Sequence, residues 1–118
     1  EMRQICSRYI TKDGDYTVVN MNEDKHWYLN GKRHREGGPA IEYADGTKSW
    51  YINGKLHREN GPAMEFSYGH KEWYINGKCH REDGPATEWA NGIKFWYLNG
   101  EELREEEFNQ RLRPMDGR

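Results

Sequence analysis

Residues 50–63 read Trp50-Tyr51-Ile52-Asn53-Gly54-Lys55-Leu56-His57-Arg58-Glu59-Asn60-Gly61-Pro62-Ala63, and this wording predicts the architecture of most of the chain. Its opening phrase, Trp-Tyr followed by Leu or Ile and then Asn-Gly, occurs four times at a constant spacing of 23 residues. The four copies begin at Trp27, Trp50, Trp73 and Trp96. Near-identical wording at one period predicts tandem repeats.

The repeated phrase predicts β-structure. Asn-Gly between alternating side chains favours a two-residue hairpin turn, because a type I′ turn needs positive φ at both central residues. At Asn53-Gly54 such a turn places Tyr51 opposite Leu56. A second two-residue turn at Asp45-Gly46 would place Ile41 opposite Trp50, in a continuous strand from Thr47 to Ile52.

The predicted pairing also predicts a packed face. Paired side chains in a sheet share a face and successive ones alternate. Ile41, Trp50 and His57 should therefore pack together, while Tyr51 and Leu56 lie on the other face. Proline cannot donate a hydrogen bond within a sheet, so each Gly-Pro corner should bend the strand or split it.

The two ends depart from the repeated wording. An N-terminal hairpin turning at Asp13-Gly14 should cap one end. At the other end, Leu103, Phe108 and Leu112 stand at helical spacing, which predicts an amphipathic helix over 104–112, ended by Pro114. The expected single domain, 1–118, divides into an N-terminal hairpin cap (1–24), tandem repeats (25–100) and a helical C-terminal cap and tail (101–118).

Composition supports a thin β-sheet core and excludes several classes. Leu, Ile, Val and Phe supply only 16 of the 118 residues, whereas 16 residues are aromatic and five of these are Trp. Eighteen basic residues balance 20 acidic ones, which argues against direct nucleic-acid binding. No apolar run approaches the roughly 18 residues of a membrane helix. Cys6 and Cys79 form no CxxC motif, so we expect a reducing, cytoplasmic location.

The sequence resembles MORN-type repeats, and more closely their divergent variants in antitoxin-like bacterial proteins and in repeat proteins of phages and large DNA viruses. The matching frame over residues 25–108 is Tyr43, Gly46, Trp50, Gly54, Lys55 and His57. The resemblance implies a mainly β protein, an elongated antiparallel β-meander used for protein or lipid contact rather than for chemistry.

Recurrent polar residues favour a structural role over catalysis. His34, His57 and His80 recur once per repeat, and two strands per repeat would separate them by roughly 10 Å, too far to share a metal ion. We expect each imidazole to pack on its paired Trp and to bond a backbone group. The recurring Arg and Glu residues should form ion pairs between repeats and corner hydrogen bonds. We therefore expect no enzyme activity, no cofactor and no metal.

Two binding surfaces remain open. The first is the C-terminal half of the sheet with its acidic cap: Trp89, Phe95, Glu101, Glu102, Glu105 and Glu106. It would suit a basic, for example nucleic-acid-handling, partner protein. In the alternative reading Phe95 packs under the terminal helix and the acidic residues are a solvated helix face. The second is the tyrosine row of Tyr28, Tyr51, Tyr74 and Tyr97, which could stack on carbohydrate or cell-wall ligands.

The predicted function is non-enzymatic protein binding. Size, near-neutral charge and a varied sheet face suit a module that occupies a partner stoichiometrically. The family resemblance implies a phage or bacterial inhibitor, antitoxin-like or anti-defence, of which an anti-CRISPR is one form, acting in the cytoplasm of a bacterium or an infected host cell. The alternative is a carbohydrate or cell-wall ligand module.

Overall fold

The computed structural model describes residues 8–112, and its secondary structure is mainly β. The strands are β1 (Arg8–Asp13), β2 (Tyr16–Met21), β3 (Asp24–Leu29), β4 (Lys32–Arg33), β5 (Ile41–Glu42), β6 (Lys48–Ser49), β7 (Tyr51–Ile52), β8 (Lys55–Leu56), β9 (Met64–Glu65), β10 (Lys71–Glu72), β11 (Tyr74–Ile75), β12 (Lys78–Cys79), β13 (Thr87–Glu88), β14 (Lys94–Leu98) and β15 (Glu101–Leu103). One helix, α1 (Glu105–Leu112), follows them within the described residues.

The strands form a long antiparallel sheet with small hairpins beside it. The sheet order is β1-β2-β3-β5-β6-β9-β10-β13-β14-β15, with β4 paired to β3, while β7-β8 and β11-β12 form separate two-stranded sheets. Strands follow chain order along the sheet, so the molecule is elongated, with extents of 68 × 32 × 18 Å. The predicted mainly β, antiparallel architecture with one C-terminal helix is confirmed.

The Asn-Gly turns form as predicted. Asn53 and Gly54 have φ values of 52° and 82°, and Tyr51 pairs with Leu56 across the turn. Asparagine tolerates the left-handed region better than other side chains, and glycine adopts it without steric cost. The same positive φ values recur at Asn30, Asn76 and Asn99.

The predicted register at Asp45-Gly46 is wrong by one residue. Ile41 pairs with Ser49, not with Trp50. The connection is a three-residue loop, because the N–H of Tyr43 donates to the carbonyl of Thr47 at 2.9 Å. Gly46, at φ 94°, supplies the left-handed residue that commonly closes such a loop.

The expected strand from Thr47 to Ile52 is broken at Trp50, which separates β6 from β7. The Trp50 N–H donates to the Ala63 carbonyl at 2.8 Å, in register with the β6–β9 pairing, whereas the Trp50 carbonyl accepts from the N–H of His57 at 3.0 Å, in register with the β7–β8 pairing. The chain therefore passes from the long sheet to the small hairpin at this residue. Consecutive hairpins then bond to one another, for example from the N–H of Gly77 to the carbonyl of Leu56 at 2.8 Å. The Gly-Pro corners separate strands as predicted.

The packed face also differs from the prediction. Because Ile41 is paired with Ser49, these two side chains share a face, and both are almost completely buried. Small residues fill the bends, where Ala40, Ala63 and Ala86 have no exposed surface. Trp50 lies instead against the guanidinium of Arg58.

Within residues 8–112, the repeated segments are preceded by the hairpin β1–β2 and followed by the helix α1. In the N-terminal hairpin Asp13 pairs with Tyr16, so the central turn residues are Gly14-Asp15 rather than Asp13-Gly14. At the C-terminal end Phe108 of α1 packs with Leu98 and Leu103. The backbone N–H of Arg104 donates to Glu107 Oε1 at 2.9 Å, which caps the helix start. The predicted helix end at Pro114 lies outside the described residues.

Candidate functional site

The long sheet has one face dominated by alternating charge, which we call the charged face. Each residue of this row is the cross-strand partner of the next, so opposite charges neighbour each other throughout. The row consists of Lys25, Glu42, Lys48, Glu65, Lys71, Glu88 and Lys94. Opposite charges on directly paired residues favour the sheet, and the three glutamates also form ion pairs with Arg35, Arg58 and Arg81, so this row has a structural explanation.

The recurring arginines hold the corners of the charged face. The Arg58 guanidinium lies 3.8 Å from the centre of the Trp50 ring. Its Nη1 donates to the Pro62 carbonyl at 3.0 Å and to Glu65 at 3.1 Å. Arg35 and Arg81 make the equivalent contacts. The predicted corner hydrogen bonds are confirmed, and each ion pair lies within one corner rather than between repeats.

The recurring histidines also stabilise the fold. Nδ1 of His57 accepts a hydrogen bond of 2.9 Å from the N–H of Asn76, and Nε2 faces Glu59 at 3.4 Å. The predicted backbone bond is confirmed, whereas arginine, not imidazole, stacks on the tryptophan. Over residues 8–112, no group of three or more His, Cys, Asp or Glu side chains is arranged to hold a metal ion.

The opposite side of the sheet, the aromatic face, carries a continuous group of rings that we call the aromatic cluster. It consists of Phe66, Tyr68, His70, Trp89 and Phe95. The ring centre of Phe66 lies 5.4 Å from that of Tyr68 and 5.0 Å from that of His70. Trp89 connects this group to the C-terminal strands, since its ring centre lies 5.7 Å from that of His70 and 6.0 Å from that of Phe95. The distances are those of favourable aromatic pairs.

The aromatic cluster is open to solvent at two rings. Tyr68 is 66% exposed and Trp89 is 45% exposed. Between them lies an open depression of about 370 Å³, lined by Tyr68, His70, Trp89, Ala90 and Asn91. A neighbouring depression of about 540 Å³ reaches from Phe66 and Tyr68 toward Tyr43. The rings therefore present accessible apolar surface with a concave shape.

A carboxylate lies at the base of the aromatic cluster. Glu72 Oε2 is 2.9 Å from Nε2 of His70, and the Tyr74 hydroxyl donates to Glu72 Oε1 at 2.9 Å. Burial, followed by the contact with Glu72, raises the pKa of Tyr74 far above its usual value. The hydroxyl therefore stays protonated and donates to the carboxylate, which lies close to the rings.

The residues predicted to form one interface divide between two sides. Trp89 and Phe95 are in contact, and Glu102, the cross-strand partner of Tyr97, shares the aromatic face with them. Glu101 pairs with Leu98, on the side covered by α1, and lies 3.6 Å from Arg111. Glu105 and Glu106 belong to the first turn of α1, where Glu106 contacts Arg104 at 3.3 Å.

Phe95 and the tyrosine row have defined environments. The cluster beneath α1 is formed by Leu98, Leu103 and Phe108, with Trp96 beside it, so Phe95 belongs to the aromatic cluster instead.

Tyr51, Tyr74 and Tyr97 are half-buried. Burial raises the pKa of Tyr97, with a further contribution from Glu102. The tyrosines are less open to a stacking ligand than Tyr68 and Trp89.

Sequence reasoning missed Phe66, Tyr68, His70 and Glu72 as site residues. A signal was present, because Ser67-Tyr68-Gly69 replaces the Ala-Asp-Gly or Ala-Asn-Gly of the other two turns. His70 likewise stands where those turns have Thr47 and Ile93. A large ring in place of a small turn residue distinguishes this turn from the other two.

Comparisons with protein-family models, curated proteins and solved structures found no match to this chain. In residues 8–112 the only helix, α1, has eight residues and is far too short and polar to cross a membrane.

Proposed function

We propose that this chain is a non-enzymatic protein-binding module that acts by stoichiometric occupation of a partner protein. The observation that carries the proposal is the aromatic cluster, with Tyr68 and Trp89 exposed beside a concave surface. Aromatic side chains are enriched at interface centres and among the residues that dominate binding energy.

The support comes from the contrast between the two faces. On the charged face the Glu residues pair with the Arg residues stacked on Trp, so both groups are satisfied within the fold. On the aromatic face Trp89 and Tyr68 keep large ring surfaces in water. Contiguous exposed apolar surface rimmed by polar groups is typical of a binding site.

The MORN-like wording of residues 25–108 supports a more specific form of the proposal. We infer a phage or bacterial inhibitor of the antitoxin-like or anti-defence kind, such as an anti-CRISPR, acting in the cytoplasm. The proposed partner is basic or handles nucleic acid, because Glu72 and Glu102 add negative charge to the aromatic face.

The test is partner capture from an extract of the native host, quantified by mass spectrometry and followed by native mass measurement of the complex. The wild-type chain should retain one partner at fixed stoichiometry. The double variant Tyr68→Ala/Trp89→Ala should lose it, whereas Tyr9→Ala should keep it, because Tyr9 is 58% exposed but lies on β1. Glycan-array binding without a stoichiometric protein partner would support the carbohydrate alternative instead.

A further inference from the structure

We propose that the depression between Tyr68 and Trp89 binds the guanidinium group of an arginine side chain presented by the partner protein. The inference rests on the proposed protein-binding function and deepens it by naming the anchoring chemistry. Three independent features of the structure carry it: an internal precedent, the local charge and the geometry of the rings.

The precedent is the arginine–tryptophan–carboxylate unit on the charged face. It occurs three times, with guanidinium groups 3.7, 3.8 and 3.8 Å from the ring centres of Trp27, Trp50 and Trp73. In each unit a Glu accepts from the same guanidinium, at 3.4, 3.1 and 3.0 Å. Trp89 is exposed, and over the described residues no Arg or Lys side chain lies over its ring.

The charge around the aromatic cluster favours a cation. Glu72 contacts His70, which in turn lies edge-on to Trp89 at 77°. The cross-strand partners of Glu72 are Met64 and Thr87, and neither carries a charge. Since side chains alternate along each strand, Lys71 and Lys94 project from the charged face instead. The carboxylate of Glu72 therefore has no cationic neighbour among its paired residues.

The geometry favours a planar cation. The rings of Tyr68 and His70 are stacked with an interplanar angle of 17°, and the ring of Trp89 makes an edge-on contact with His70 at 77°. A guanidinium group can stack flat on an aromatic ring while its in-plane N–H groups donate to a carboxylate. A compact ammonium group has no in-plane N–H groups that donate in fixed directions while it lies on a ring. It would therefore gain less binding free energy from the same surface.

The first experiment follows the indole N–H signal of Trp89 by NMR, assigned from the Trp89→Phe spectrum. The probes are the N-acetyl methylamides of arginine, citrulline, lysine and trimethyllysine. Arginine should shift this signal saturably. Citrulline, which has nearly the same shape without the charge, should bind about 3- to 30-fold more weakly, the range expected for a cation–π contribution.

Variants then separate the aromatic and electrostatic parts. Tyr68→Ala and Glu72→Gln should each weaken arginine binding by about threefold or more, as expected for loss of a ring or of a nearby negative charge. Tyr9→Ala should leave the affinity unchanged. Tyr68 is exposed, so its variant tests the inference even if Glu72→Gln lowers stability, which far-UV circular dichroism and thermal melting report.

Several outcomes would overturn the inference. They are equal binding of citrulline and arginine, tighter binding of trimethyllysine, or arginine-induced shifts located away from Trp89. If arginine fails to bind but partner capture still depends on Trp89, the anchoring chemistry is wrong and protein binding stands. If arginine binds at Trp89 and no partner is captured, the proposed function fails instead.

Discussion

Nδ1 of His34 accepts a hydrogen bond of 2.9 Å from the backbone N–H of Asn53, which lies 19 residues further along the chain. Because Nδ1 is the acceptor, the proton of the neutral ring resides on Nε2, which faces Glu36 at 3.2 Å. One imidazole thus joins two consecutive hairpins. His57 and His80 make the same connection with Asn76 and Asn99.

The first prediction compares two of these histidines. His34 is only 5% exposed and also stacks near Tyr16, whereas His57 is more accessible. His34→Ala should lower the free energy of unfolding by about 2 kcal/mol, and His57→Ala by about 1 kcal/mol, since burial adds to the cost of a lost hydrogen bond. Urea denaturation measures both. Equal decreases in the free energy of unfolding would show that burial of the imidazole adds nothing to the energy of the hydrogen bond that each histidine makes.

The second prediction concerns the Asn-Gly turn. Gly54 has φ 82°, and a Cβ there would meet Lys32 Cβ only at an ordinary 3.8 Å. Gly54→Ala should therefore destabilise through backbone strain rather than steric clash, by about 1–2 kcal/mol. Gly37→Ala is the matched control, because Gly37 lies outside the left-handed region with open space around it. Thermal melting should show a lower midpoint for Gly54→Ala alone.

The third prediction is a pH dependence. Burial, then the nearby Arg33, lowers the pKa of His26, while Asp24 opposes the shift. The folded state therefore prefers neutral His26, so this stabilisation is present above the usual pKa of about 6.5 and is lost as the pH falls through the lowered value.

The matched variant is His26→Phe, which retains a ring beside Tyr28 and Tyr43. The free energy of unfolding should fall less between pH 7.5 and pH 5 in the variant than in the wild type. An identical decrease would show that His26 does not contribute to the pH dependence.

The fourth prediction concerns the reactivity of Cys79. Burial raises the pKa of this thiol, whereas its contact with Thr87 opposes the shift. Only the thiolate reacts rapidly, so in a Cys6→Ser background iodoacetamide should modify Cys79 more slowly in the native state than in urea at pH 8. Thr87→Val should slow the native reaction further. Faster modification in the native state would contradict the assigned environment.

The turns could be read from the sequence because their chemistry is local. Asn53-Gly54 specifies a two-residue turn by itself, and the Tyr51–Leu56 pairing follows from it. Asp45-Gly46 is less specific, since the same dipeptide also ends a three-residue loop, and that shifts Ile41 from Trp50 to Ser49. Because the loop has three residues rather than two, each side chain of β6 lies on the opposite face, relative to Ile41, from the one predicted.

The bend and the aromatic cluster depend on contacts between distant residues. At Trp50 the chain leaves the long sheet for the small hairpin, since its N–H bonds to Ala63 of the sheet and its carbonyl to His57 of the hairpin. No local pattern specifies Ala63 as a partner. Tyr68 and Trp89 are brought near each other only by the pairing of β10 with β13. Trp89 and Phe95 could be predicted as neighbours because one short turn separates their strands.

The hydrogen bonds between consecutive hairpins make each segment dependent on its immediate neighbours. In such an array opening can begin at a terminus and spread inward, so local stability varies along the molecule. Phe108 of α1 fastens the last strands through Leu98 and Leu103. Phe95 belongs to β14, the strand that contains Leu98, so fraying of the C-terminal end would remove Phe95 from its contact with Trp89 while the distant N-terminal strands remained folded.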